Sequence, residues 1–210
     1  MEGENFQQPT SRAIGELCME PNEHLNKRMM TSISSSGDNV CYESSTELDS
    51  HANMVVIGKQ AFVLSHSGQY ENVRAFTDEF KGIPKVPIMD AVIAYDCLQS
   101  GQTYLLVARN ALCIPSMEHN LITPFILREA GLVLHDTPKI HSNVTSAEDQ
   151  SMFDEETRLR IPFTLDRNFS VFKSRSLTNE EINNVEDFET VFLTPDSNKW
   201  DPYDKSYKHN

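Results

Sequence analysis

The chain has four cysteines, Cys18, Cys41, Cys97 and Cys113, and no two of them form a Cys-x-x-Cys pair. No paired histidines stand near them, so neither a zinc site nor a disulfide framework is indicated, and a reducing compartment is expected. No apolar run approaches the ~20 residues that a bilayer-spanning helix needs. The start, Met1-Glu2-Gly3-Glu4-Asn5, lacks the basic and then apolar stretch of a secretory signal, so the expected location is the cytoplasm, with no membrane partner. Basic residues are scarce as well. Eighteen Lys and Arg against 31 Asp and Glu leave a formal net charge of −13, and the cations are scattered, so direct nucleic-acid binding is not expected and other proteins are the expected partners.

A chain of 210 residues that is 39% hydrophobic can hold one domain of ordinary size with tails. Residues 1–46 are polar and rich in Ser, Asn, Glu and Met, with a linker-like Ser34-Ser35-Ser36-Gly37-Asp38-Asn39, and are expected to be a disordered N-terminal segment. Beyond them the pattern turns to β structure. Met54 to Gly58 and Ala61 to Leu64 are short apolar runs, which Ser65-His66-Ser67-Gly68 punctuates as a turn. Ile88 to Tyr95 and Thr103 to Ala108 predict two core strands joined by a hairpin connection over Asp96 to Gln102. Arg160 to Leu165 and Phe169 to Phe172 predict two more, around an Asp166-Arg167-Asn168 turn. Between these groups, Thr123 as N-cap, Pro124 at the first helical position and Gly131 just past the end predict one short helix. After Phe172 the chain is polar again, with a capped, acidic helix start at Leu177 to Ile182 and a linker around Trp200 to Asp204.

Candidate chemistry centres on Leu48-Asp49-Ser50-His51-Ala52. An acidic residue, a small hydroxyl residue and Ala at the end of a short apolar approach suit a water-activating aspartate, although an isolated Asp-Ser pair is more often a turn or a cap. A Ser-His-Asp triad is excluded for these three consecutive residues, because neighbouring strand side chains point to opposite faces. Cys113, in an apolar strand before Pro115, reads as a small core residue rather than a nucleophile. Downstream, Ala111-Leu112-Cys113-Ile114-Pro115 leads through a polar turn to Asn120-Leu121-Ile122, the short helix, Gly131 and the apolar Leu132-Val133-Leu134.

Taken together over approximately Glu47 to Phe172, these segments resemble the protease segment of copia-like retrotransposon polyproteins, a retropepsin-like family. The family pattern is Asp-Ser/Thr-Gly-Ala after an apolar strand, then sheet strands and a flap, then Leu-x-Val-Pro, Asn-Leu-Leu/Ile, a helix and a Gly. The resemblance implies a mainly β fold, a small closed barrel with one short helix, over residues 47–172; it leaves outside the acidic C-terminal helix or linker tail expected over 173–210. It places the catalytic aspartate at Asp49 and the buttressing hydroxyl at Ser50, with Ala52 in step; His51 stands where the family usually has Gly, and Asn53 where many members carry a second Asp. Asn120, Leu121, Ile122 and Gly131 fall on the second structural motif, and Val73 to Pro87 on the flap, where Phe76, Phe80 and Ile83 either line the substrate side or pack under a loop.

A chain with one such aspartate implies a homodimer whose two Asp49 carboxylates share a proton and hold one water. The implied activity is aspartic-type endopeptidase cleavage of a polypeptide, the processing of a polyprotein, with no metal and no cofactor. The alternative is a catalytically decayed module of the same fold that serves dimerisation or peptide binding, with His51 and Asn53 marking the lost chemistry. The strands over 160–172 either build an intersubunit sheet or cover a free edge within one subunit.

Overall fold

The structure is a computed structural model and describes residues 43–74, 82–141, 146 and 148–196. Phe76 and Phe80, Cys18 and Cys41, and the expected N-terminal segment before Glu43 lie outside the described residues. The chain is mainly β. In order, the strands are β1 (Glu43–Leu48), β2 (Val56–Ile57), β3 (Phe62–Val73), β4 (Ile83–Asp96), β5 (Thr103–Cys113) and β6 (Asn120–Ile122). Helix α1 (Pro124–Glu129) follows, then β7 (Val133–His135), β8 (Ser151–Phe153), β9 (Arg160–Pro162), β10 (Thr164–Asp166) and β11 (Phe169–Arg175). Helix α2 (Asn179–Asn183) and β12 (Glu189–Phe192) complete the described chain.

One large sheet runs in the order β10-β11-β1-β6-β2-β5-β4-β3, with β12 beside β5; β7, β8 and β9 make a small separate sheet. The expected closed barrel is not what the large sheet forms. A barrel needs a continuous ladder all the way round, and β11 meets β4 at a single pair, Arg175 with Ala94, so the sheet curls back on itself without becoming a defined barrel. The β4–β5 hairpin turns where the sequence predicts, with Asp96 paired to Thr103. The supposed turn at Ser65 to Gly68 is instead a bulged stretch inside the twelve-residue β3, where the register against β4 slips between His66 and Tyr70 and Gly68 takes a φ of 78°. Turns and bulges both need a residue that tolerates positive φ, so one Gly can signal either.

Side-chain alternation divides the centre of the sheet between two cores. Ala91, Ile93 and Tyr95 of β4 with Leu106 and Ala108 of β5 join the main core, which includes Ile122, Ile126, Leu127 and Phe172. Their neighbours Val92, Ala94, Leu105 and Val107 point the other way, onto Leu177, Ile182, Val185, Phe188 and Phe192. Strands that are apolar on both faces must be covered on both faces. The cover of the second face comes from beyond Phe172: α2 lies over it, and β12 runs parallel to β5, adding Phe192 to that face and Val191 to the main core.

One cation fastens this cover. Arg175, at the end of β11, donates from Nε and Nη2 to the Asp96 carboxylate at 2.6 and 2.8 Å, and from Nη1 and Nη2 to Glu181 of α2 at 2.8 and 2.7 Å. Glu181 closes a capping box with Thr178, accepting the Thr178 N–H while its own N–H donates to the Thr178 hydroxyl. The hydrogen bonds from Arg175 hold the Asp96 carboxyl below its ordinary value. Burial pushes Glu181 up, but the Arg175 and Thr178 hydrogen bonds outweigh it, and its carboxyl too lies below the ordinary range. Among the described residues no helix is long and apolar enough to cross a membrane.

Candidate active site around Asp49

Asp49 is placed by the strand that ends before it. β1 lies between β11, antiparallel, and β6, parallel, with Thr46, Glu47 and Leu48 beside Asn120, Leu121 and Ile122. The Asp49 N–H continues this parallel ladder, donating to Ile122 O at 3.0 Å. The structure therefore brings the Asp49 segment and the Asn120-Leu121-Ile122 segment side by side.

A buried polar row fixes the register. The Thr46 hydroxyl lies 3.0 Å from the Ser174 hydroxyl of β11 and accepts from Asn120 Nδ2 at 3.1 Å, while Asn120 Oδ1 accepts the Gly58 N–H at 2.9 Å. Thr46, Asn120 and Ser174 are all buried, and an unpaired polar group there would cost on the order of 1–3 kcal/mol, so a slipped register is penalised at each of them. Gly58 is required at its place: a Cβ would come within 2.6 Å of Met117 O and 2.9 Å of His119 O. Asn120 thus acts through the backbone it anchors. The row was not legible beforehand, because Thr46 and Ser174 look like ordinary polar strand residues until β11 is known to pair with β1.

The exit from the Asp49 turn is tied to α1. Thr123 is the N-cap residue that the sequence predicts, with Pro124 behind it, but its side chain makes no cap bond. The hydroxyl instead donates to Ala52 O at 2.8 Å, joining the turn to the start of the helix. At the other end of α1, Gly131 has a φ of 90°, its N–H donating to Arg128 O and the Leu132 N–H to Leu127 O, the paired bonds of a Schellman ending.

At the turn itself, Asp49 Oδ1 accepts the His51 N–H at 2.8 Å, and the Asp49 side chain is 29% exposed. The His51 ring is 83% exposed, with Nδ1 3.8 Å from Asp49 Oδ1 and 3.5 Å from the Ser50 hydroxyl. Both neighbours approach the same ring nitrogen. A catalytic triad needs the carboxylate on one nitrogen and the hydroxyl on the other, so this cluster is not one. Ser50 and Asn53 are exposed and Ala52 is half-buried. Ile83 is exposed at the start of β4, where it pairs with Val73, and the rest of the expected flap tip lies outside the described residues.

Elsewhere, Cys113 is buried, and burial pushes its thiol up to about 11, which fits a core residue and not a nucleophile. Among the described residues no group of His, Cys, Asp and Glu is placed to hold a metal ion. What the site offers chemically is one accessible carboxylate, oriented by backbone on a fixed strand end. A scan against protein-family models finds no match for the chain, and neither a search of curated proteins nor one of solved structures finds a similar protein.

Proposed function

We propose that the protein is a retroelement-type aspartic endopeptidase that processes a polyprotein as a homodimer, with Asp49 contributed by each copy. The observation that carries this reading is the convergence of the Asp49 turn and the Asn120-Leu121-Ile122 segment on adjacent parallel strands, locked by the Thr46–Asn120 bond. Those are the two segments on which the retropepsin-like resemblance rests. Two carboxylates at hydrogen-bonding distance share one proton, since both cannot easily ionise. The ionised member takes a proton from the bound water as the water attacks the peptide carbonyl, and the protonated member gives its proton to the carbonyl oxygen. Collapse of the resulting diol, with proton transfer to the departing nitrogen, releases both products without a covalent enzyme intermediate.

A second reading, a decayed dimerisation or peptide-binding module, is favoured by the Ser50 hydroxyl, which is exposed and turned toward the His51 ring. Cleavage of a mixed peptide library by the wild-type chain and by Asp49→Asn, from about pH 4 to 7 and over a range of protein concentrations, separates the two. The protease reading expects cleavage that rises steeply with concentration and vanishes in Asp49→Asn. Silence from a folded wild-type chain would leave the binding module.

A further inference from the structure

Near Arg175, where β5 and β12 begin side by side, an open cleft of about 200 Å³ is lined by Gln102, Thr103, Tyr104, Asp187, Phe188 and Glu189. Glu189, the first residue of β12, stands beside Tyr104 of β5. Phe188 has an extended backbone, with a φ of −108° and a ψ of 141°, so the Asp187 and Glu189 carboxylates leave the chain on one side. Both are exposed, and neither has an ion-pair partner among the described residues. Arg175 borders the cleft, its Nη2 3.4 Å from the Thr103 hydroxyl, but that one cation is already shared by two anions, Asp96 and Glu181. The Thr103 and Tyr104 hydroxyls donate to Asp96 and to Gln102 Oε1, so what they still offer an incoming group is acceptor lone pairs.

We propose that this cleft is a docking site for a basic side chain, arginine before lysine, carried by an extended peptide segment of a partner protein. Its volume is below the roughly 300–1,000 Å³ of a small-molecule pocket and suits one long side chain. An anion would meet two carboxylates whose charge no neighbouring cation offsets, and a wholly apolar group would strip them of water without replacing it. A cation on an apolar stem avoids both costs. Its head lies between Asp187 and Glu189 while the stem covers the apolar lining from Tyr104 and Phe188. Arginine leads because its planar fork donates to two carboxylates at once, where an ammonium is a point charge. The net charge of −13 adds a longer-range attraction for a basic partner. Asp49 takes no part in this contact, which stands or falls apart from the protease reading.

The test is a titration of the full, nitrogen-15-labelled chain, followed by the shifts of its backbone amide resonances. The probe is a short blocked peptide of glycine and serine around one arginine, beside the same peptide with uncharged norleucine in its place. The arginine peptide is expected to give saturable shifts concentrated at 102–104 and 187–189, and the norleucine peptide none. Asp187→Asn and Glu189→Gln are each expected to weaken binding about threefold, and the double variant about tenfold, as exposed charge pairs allow. Both side chains are exposed, and resonances away from the cleft report that each variant keeps the wild-type fold. No saturable shift, shifts spread over the acidic surface at large, equal binding of the norleucine peptide, or a double variant that binds as the wild type does would each overturn the proposal.

Discussion

The two ends of β11 show opposite uses of a carboxylate. At one end Arg175 takes hold of Asp96 and Glu181 together, both oxygens of each carboxylate are engaged, and three elements are pinned at one point. Toward the other end, beyond the Glu47–Val171 pair, Asp49 accepts one backbone N–H and is otherwise left accessible, with no cation among the described residues within ion-pair distance other than the neighbouring His51 ring. A carboxylate saturated by a guanidinium is committed to structure, because its charge is already neutralised and its lone pairs are filled. One placed by backbone alone keeps its reactivity, at the expense of contributing little to stability. The difference between Asp96, which ends β4, and Asp49, which follows β1, is thus one between a carboxylate bound by a guanidinium and one held by backbone.

The largest effect should come from breaking the clamped end. Arg175→Met leaves Glu181, whose side chain is 9% exposed, without its cation, and should cost about 3 kcal/mol, read as a fall in the denaturant midpoint. The same variant should change the acid limb of the stability curve. Asp96 and Glu181 have folded pKa values below their ordinary 3.8 and 4.5, so the fold binds fewer protons there than the unfolded chain does. Their contribution is complete above the ordinary values and is lost as pH falls through the folded ones. Wild-type stability should therefore drop on acidification from about pH 4.5 downward, and the drop should be shallower in Arg175→Met. Equal acid limbs in the two proteins would mean that the clamp is not what couples this fold to pH.

The clamp was invisible in the sequence, and the reason is distance along the chain. Asp96, Arg175 and Glu181 come from β4, β11 and α2, and only the pairing of Arg175 with Ala94 brings them together. The β4–β5 hairpin was legible because its signals are local: β-rich runs on either side of a polar connection. The helix over 124–129 and its Gly131 ending were legible for the same reason, and so was the capped start at Thr178. The role of the residues beyond Phe172 was not. Leu177 stands among polar neighbours and Val191-Phe192-Leu193 is an apolar run of only three residues, and their burial depends on faces of β4 and β5 that alternation alone leaves without a named partner. At the candidate site, the two motifs were readable as separate segments. The buried Thr46–Asn120–Ser174 row that joins them was not, since it exists only across three strands.

A smaller effect is expected at the cap of α2. Thr178→Ala removes the hydroxyl that accepts the Glu181 N–H, while the bond from the Thr178 backbone N–H to the Glu181 carboxylate remains, and should cost about 1 kcal/mol, confined to the clamped end. Native-state hydrogen exchange should then show faster exchange over 179–184 with little change in β1 and β6. Uniform acceleration across the sheet would show instead that α2 and the two-faced strands β4 and β5 open as one unit.

The smallest effect is expected at Asp49 itself. In Asp49→Asn the amide oxygen can still accept the His51 N–H, the Asp49 N–H to Ile122 O bond is a backbone bond and unaffected, and no cation loses its charge partner apart from the exposed His51 ring. The substitution should shift the unfolding free energy by no more than about 0.5 kcal/mol in either direction. A loss of several times that size would make Asp49 a structural carboxylate like Asp96 and erase the contrast between the ends of β11. A neutral result gives the cleavage experiment its meaning: with the fold intact, any activity lost in Asp49→Asn is lost from the carboxylate, because the exposed His51 ring is its one charge partner among the described residues.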